Sequence, residues 1–215
     1  MSPINIKRRG LMFILSSPSG VGKTTLVNMV REHDSHVKTS ISVTTRPVRP
    51  GEINGVHYHF VTREQFNEMV KAGEFLEHAE VFGNLYGTPR RPVEDMMASG
   101  MDVIFDIDWQ GNRRLTSMAR EDVCSVFLLP PSKQEILNRV IKRGQEDMET
   151  IKYRLERADI EISHWHEYDY IIINRDLQES FSKIMSILRA ERLKKARRTG
   201  LIKFVEGLLD EEVKF

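Results

Sequence analysis

The run Ser17-Pro18-Ser19-Gly20-Val21-Gly22-Lys23-Thr24 has the residue types and spacing of a phosphate-binding loop. Its glycines let backbone N–H groups turn inward and cradle phosphate oxygens. The helix that should follow adds the positive end of its dipole. Lys23 can reach the β- and γ-phosphates of a nucleotide, and the Thr24 hydroxyl can sit on Mg²⁺. The strict pattern begins with glycine, and here Ser17 stands in that place. A small side chain still fits. A glycine-rich turn that binds nothing is the bland alternative. The position of Gly22-Lys23-Thr24, between an apolar run and a helical pattern, argues against it. The loop implies nucleotide phosphate binding but does not separate an ATPase from a GTPase or a kinase.

A second chemical signal is the pair Asp106 and Asp108, closing the apolar run Met101 to Ile107. Side chains two apart on a strand face the same way. Both carboxylates can then reach the C-terminal edge of a sheet, where open α/β sheets place ligands. One could complete a Mg²⁺ shell with Thr24. The alternative is a pair of surface acids capping the next helix.

The elements that must position these groups follow from periodicity. Leu11 to Leu15, Met101 to Ile107, Val123 to Leu129 and Tyr170 to Ile173 read as buried strands. Helical patterns cover Gly22 to Glu32, Asn112 to Ala119, Lys133 to Ile141 and Leu177 to Leu193. This alternation predicts an α/β fold with a parallel sheet covered on both faces. Ser42 to about Ala98 interrupts the rhythm with turns, aromatics and arginines, and reads as a small mixed α/β flap. Within it, the alternation from Val56 to Val61 suggests a partly exposed strand, with His57 and His59 on the face away from Tyr58. Arg143 to Glu149 reads as a loop between helices. Thr199-Gly200 should stop the long basic helix. Leu201, Phe204, Val205, Leu208 and Leu209 then share one helical face, expected to dock on the chain's own core, with a subunit contact as the alternative.

Composition sets outer bounds. The chain has 215 residues, 40% hydrophobic, enough for one ordinary core. Charged residues make up 29% and nearly balance at +1, so no basic excess points to nucleic acid. No apolar run approaches the roughly 20 residues of a membrane span. The single Cys124 reads as buried filler and weakly favours a reducing compartment, which places the protein in the cytoplasm.

Taken together, Ser16 to Lys23, Ser42 to Glu52, Asn54-Gly55-Val56-His57-Tyr58, Phe75-Leu76-Glu77, Tyr86-Gly87-Thr88 and Asp106-Ile107-Asp108-Trp109-Gln110-Gly111 resemble the guanylate kinase family. The resemblance runs from about Leu11 to Arg197 and is most specific over Thr44 to Glu52. It implies a P-loop kinase fold with a parallel core sheet flanked by helices, a GMP-binding flap and a helical lid. Residues 1–41, 99–131 and 166–195 would form the core, 42–98 the GMP-binding domain and 132–165 the lid. Residues 196–215 would be a helical extension. The implied reaction moves the γ-phosphate of ATP to GMP with Mg²⁺ as cofactor, in guanine nucleotide metabolism. The implied partners are these two substrates alone, with no nucleic acid and no membrane, in a monomer or homodimer.

The family's site residues map onto this chain. Ser17, Pro18, Ser19, Gly20, Val21, Gly22, Lys23, Thr24, Thr25 and Asn174 fall on the ATP side, with Asn174 at the adenine. Arg46, Arg49, Tyr58 and Tyr86 match the residues that hold the GMP phosphate. Ser42, Glu77, Thr88 and Asp108 match those that read guanine. Lys23, Arg46, Arg139, Arg143 and Arg154 would carry the charge of transfer, the last three from the lid side. Thr24 and Asp106 would hold the metal.

The chemistry suits these types. A phosphate monoester has a second pKa of about 6 and is largely dianionic near neutrality, so the acceptor needs no general base. The obstacle is bringing two polyanions into line, which calls for arginines and positioning. Guanine presents N1–H and an amino group side by side, and one carboxylate can accept from both. Glu77 suits that role, though alone it would read as a surface acid. Arg46 and Arg49 alone could be solvated, but Pro47 and Pro50 stiffen their loop.

Other features read as ordinary. The His57/His59 and His164/His166 pairs lack metal-ligand partners at a recognisable spacing. The run Arg189, Arg192, Lys194, Lys195, Arg197, Arg198 reads as a solvated helix face, with RNA binding a minor alternative. A sugar-phosphate kinase, a phosphopeptide-binding module and a simple NTPase are the rival functions. The guanine readers, the intact loop and the flap arginines argue against them in turn.

Overall fold

The computed structural model describes residues 6–81, 83–143 and 157–213, apart from the side chains at 81, 140, 142 and 143. In chain order its elements are β1 (Met12–Ser16), α1 (Lys23–His33), β2 (Val37–Lys38), β3 (Val43–Thr44), β4 (His59–Phe60), α2 (Arg63–Lys71), β5 (Phe75–Val81) and β6 (Asn84–Pro89). They continue with α3 (Arg90–Ala98), β7 (Asp102–Asp106), α4 (Trp109–Ala119), β8 (Val123–Leu129), α5 (Lys133–Arg143), α6 (residues 157–163), β9 (Tyr170–Ile173), α7 (Leu177–Arg192) and α8 (Leu201–Leu209).

β1 is buried along its whole length. Its side chains alternate between two apolar layers. Phe13 and Leu15 pack with Leu26 and Val30 of α1 and Ile184 and Leu188 of α7. Met12 and Ile14 pack on the other face with Val93 and Met97 of α3 and Leu115 of α4. That period of two, apolar on both faces, belongs to a strand covered by helices on both sides. Each such buried side chain contributes about 1.5–3 kcal/mol. The sheet order is β2-β7-β1-β8-β9, with every pairing parallel. All C-terminal strand ends therefore share one edge, and the order reverses at β1, where open sheets bind ligands.

The second sheet has the order β4-β3-β6-β5, with β3–β4 parallel and the other pairs antiparallel. Its core is small, built on Val43, Phe66 and Phe75. The Phe66 and Phe75 rings stack 4.6 Å apart. Gly87 crosses directly over them, and a Cβ there would meet the Phe75 ring at 2.7 Å. α2 starts cleanly because Thr62 and Gln65 form a reciprocal capping box.

Four expectations need correction. The alternation from Val56 to Val61 yields only the two-residue β4. Residues 53–58 form a turn instead, with Val56 and His57 N–H groups donating to Ile53 O and Gly55 N–H donating to Tyr58 O. The long basic helix ends at Arg192, not at Gly200. Lys195–Arg197 is a 3-10 turn that lets Arg197 bury its guanidinium against Glu191. Arg192 likewise turns inward, bonding Asp34 at 2.6 Å and the fully buried Asp102 at 2.7 Å. These two arginines are therefore internal partners, not part of a solvated face. Finally, α8 does not dock on the core: none of its residues is buried, and Leu209 is 81% exposed. Among the described residues, no helix is long and apolar enough to cross a membrane.

Candidate active site

The loop from Ser17 to Gly22 leaves the C-terminal end of β1 and opens α1. Gly22 is the N-cap, with φ of 102°, and no side chain caps the helix. The first amides of α1 are thus left for an anion. A Cβ at Gly22 would be strained by that φ and would press on the Asn174 amide at 3.2 Å. Ser17 fills the first loop position without distortion, its hydroxyl donating to Pro18 O. Val21 is buried, and its carbonyl accepts from Asn174 Nδ2 at 2.7 Å and from Arg139 Nη1 at 3.1 Å.

Asp106 ends β7 beside this loop. Its carboxylate pairs with Lys23 Nζ at 2.5 Å and accepts from the Thr24 hydroxyl at 3.2 Å. Thr25 is exposed one residue further along α1. A hydroxyl and a carboxylate side by side form a hard-oxygen donor set that suits Mg²⁺ completed by substrate phosphates and waters. Among the described residues no cluster of three or more His, Cys, Asp or Glu forms a metal cage.

Across the same edge lies a cavity of about 420 Å³ between the two sheets. Ser42, Tyr58, Glu77, Tyr86, Thr88 and Asp108 all line it, as does Asp106. Glu77 and Thr88 are direct cross-strand partners on β5 and β6. The Thr88 hydroxyl donates to Glu77 Oε1 at 2.6 Å. Burial pushes the Glu77 carboxyl above its ordinary range, opposed by the Thr88 bond and by the charge of Arg114.

Asp108 arrives by a different route from the one its spacing suggests. It lies beyond the end of β7 and is the N-cap of α4, its Oδ1 accepting from the Gln110 and Gly111 amides at 3.0 and 3.1 Å. Helix capping, not strand alternation, holds it at the cavity, so the capping and ligand-facing roles coexist.

The arginines Arg46 and Arg49 do not line the cavity. Arg46 bonds Glu52 at 2.6 Å and Pro47 O at 2.7 Å, and lies over the Tyr58 and Phe60 rings at 5.5 and 5.7 Å. Arg49 is exposed, and its amide donates to Glu52 Oε2 at 2.8 Å. The Arg46 guanidinium holds the Glu52 carboxyl below its ordinary range.

Asn174 turns inward. It is 1% exposed, its Nδ2 donates to Val21 O, and its Oδ1 accepts from Ser180 at 2.8 Å. It braces the loop from beneath. Arg139 is similarly inward, bonded to Glu135 at 2.7 Å as well as to Val21. The side chain of Arg143, and Arg154 entirely, lie outside the described residues.

The sequence reading passed over three residues. His57 lines the cavity instead of turning away, because its Nδ1 accepts from the Ile53 amide at 3.0 Å inside the 53–58 turn. Glu52 had a signal, an acid within the Arg46–Glu52 turn. Glu161 of α6 had none: its Oε2 is buried without a hydrogen-bond partner among the described residues, and burial pushes its carboxyl above the ordinary range. Of the other histidines, His164 stacks on Trp109 at 3.7 Å and pairs with Glu167.

Comparison with known proteins agrees with this geometry. A family profile described as guanylate kinase matches residues 9–191. The guanylate kinase of Nitrobacter hamburgensis is 55% identical over 203 residues, covering 94% of this chain and 93% of its own. That of Agrobacterium fabrum is 50% identical over 213 residues, covering 99% and 97%. The crystal structure of guanylate kinase from Anaplasma phagocytophilum superposes with a TM-score of 0.76 at 41% identity, covering 97% of this chain and all of that one. The profile match over most of the chain and these identities at nearly full coverage show that the chain belongs to the guanylate kinase family.

Proposed function

We propose that the protein is an ATP:GMP phosphotransferase in which the loop takes the donor phosphates and the inter-sheet cavity takes GMP. The observation that carries this assignment is Asp106, which pairs with Lys23 of the loop and also lines the cavity, so that donor and acceptor sites meet at one carboxylate.

Thr24 and Asp106 would hold Mg²⁺, whose charge would offset that of the donor phosphates. Lys23 exchanges Asp106 for phosphate oxygens. Glu77 accepts the paired N–H donors of guanine, and Ser42, Thr88 and Asp108 complete the base site. Adenine lacks that donor pair, and a site built around it leaves Glu77 buried and unpaired. Sites of this type reject such analogues by up to roughly 10⁴–10⁵. Tyr58 and Tyr86, with rings 6.1 Å apart edge to face, present hydroxyls to the GMP phosphate. Arg46 and Arg49 join them when the flap closes. Arg139, Arg143 and Arg154 approach from the lid side. Residues 42–98 then act as the GMP-binding unit and 132–165 as the lid, a division supported by the separate sheet of the flap.

A coupled assay of ADP release tests the assignment, with ATP and Mg²⁺ against GMP, AMP, CMP, UMP or a sugar phosphate. Turnover with GMP alone is expected. Turnover only with a sugar phosphate would move the protein to another kinase class, and ATP binding without turnover would make it a binding module.

A further inference from the structure

Asp108 reaches the cavity as the N-cap of α4, its Oδ1 accepting from the Gln110 and Gly111 amides at 3.0 and 3.1 Å. The cap ties the carboxylate to the first turn of α4, so the position of that turn decides where Asp108 stands. Further along, Leu115 anchors α4 in the core. The first turn is held differently, by side chains from outside the helix.

The indole of Trp109, the first residue of α4, lies flat on the His164 imidazole, with centroids 3.7 Å apart and planes at 11°. The Arg113 guanidinium, four residues on and on the same helix face, lies 4.9 Å from the centre of that indole. Arg113 also donates to both oxygens of Glu167, at 2.6 and 3.2 Å. Glu167 Oε1 pairs in turn with His164 Nδ1 at 2.6 Å. The four side chains therefore close a ring between α4 and the segment His164–Glu167 that follows α6. Arg113, with His164 adding to the effect, holds the Glu167 carboxyl below its ordinary range. A single exposed ion pair fixes little. Here a bidentate bond and a flat aromatic stack, on Glu167 and His164 side chains that are 17% and 19% exposed, define one geometry. The ring's route to the site is covalent, because Trp109 follows Asp108 directly.

We propose that His164, Glu167 and Arg113 are positioning residues that clamp Trp109 and so hold the Asp108 carboxylate where guanine is read. The proposal rests on the cavity being the GMP site and on Asp108 meeting the base. The core contacts of α4 survive loss of the ring, so the first turn loosens while the fold stays.

His164→Ala removes the stack and the bond to Glu167, and Arg113→Ala opens the ring on its other side. Each should raise KM for GMP about three- to tenfold, the scale of one aromatic or charged contact, with kcat and KM for ATP within about twofold of wild type. Thermal unfolding identifies the folded variants. A double-mutant cycle with Asp108→Asn, which keeps the cap and removes the charge, separates positioning from a purely structural tie. In that background the ring has no carboxylate left to position, so His164→Ala should raise KM for GMP by less than about twofold further. A structural tie would add its full factor. Unchanged KM for GMP in folded ring variants, or full additivity with Asp108→Asn, overturns the proposal. The single variants keep the two levels apart. If Asp108→Asn leaves KM for GMP as in the wild type, the base-reading role of Asp108 fails. If it raises KM while the ring variants change nothing, only the clamp fails.

Discussion

The donor loop and the acceptor flap meet at Asp106 but are built in opposite ways. The loop is braced from beneath by groups that are themselves buried: Val21, Asn174 and the inward face of Arg139. The flap rests on a small core and carries exposed apolar side chains at Val48, Ile53 and Val56. The residues expected to read the base already line the cavity, whereas the Arg46 side chain remains on Glu52 and on aromatic faces and Arg49 is exposed. On the proposed assignment, the contrast predicts a donor site that is preformed and an acceptor phosphate site that is assembled on closure. Errors on the donor side should then appear in kcat and ATP affinity, and errors on the flap in the response to GMP.

The largest expected effect breaks the donor side. Lys23→Ala removes the charge that meets the transferred phosphate, and kcat should fall by about 10²–10³ or more. GMP binding, measured alone, should stay near wild type. An equal loss of GMP affinity would show that the two sites are not separate.

Next comes the half-buried carboxylate of the flap cavity, Glu77. Glu77→Gln should lower kcat/KM for GMP by about 10–10², the worth of a hydrogen bond to a charged group, with little change in ATP affinity. An unchanged preference for GMP over AMP would remove Glu77 from base reading. The pH dependence follows from its environment. Burial raises the folded carboxyl above its ordinary range, so the native state binds that proton more tightly than the unfolded chain does. Ionised Glu77 therefore costs stability above the unfolded pKa, and the cost is relieved as pH falls through the raised value. GMP needs the ionised form, so GMP affinity should be lost over that same fall, starting at a higher pH than for an ordinary glutamate. The Gln variant should lack this component.

Asn174→Ala tests the brace. Losing its amide leaves the Ser180 hydroxyl and part of the Val21 carbonyl demand unmet, which should cost roughly 1–3 kcal/mol in unfolding free energy. ATP affinity should fall with it and GMP affinity should not. A stable variant with weakened ATP would instead point to direct contact with the nucleotide.

How far the sequence reached follows the same division. The phosphate loop was legible because its signal is local: glycines, a lysine and a threonine between a strand and a helix. The parallel sheet was legible because apolar runs on both faces of β1 and β8 leave few other solutions. The inward turn of Asn174 was not, because its partners Val21 and Ser180 come from separate elements that only the fold unites. The 53–58 turn was misread because its aromatic and histidine spacing imitates strand alternation, while the turn is held by Ile53 and Tyr58 backbone groups. Arg197 looked like a surface charge because nothing in a basic run shows which member meets a buried Glu191.

The smallest expected effect lies in the flap's own arginine turn. Glu52 has both oxygens satisfied, Oε1 by Arg46 and Oε2 by the Arg49 amide. A fully bonded carboxylate is a brace for the Arg46–Arg49 turn. Glu52→Gln should therefore loosen that turn and raise KM for GMP by about two- to fivefold, the scale of a screened ion pair. ATP affinity should not move. If Glu52→Gln instead tightens GMP, Glu52 is an occupant that the substrate phosphate must displace, and the turn is held by a competitor, not a brace.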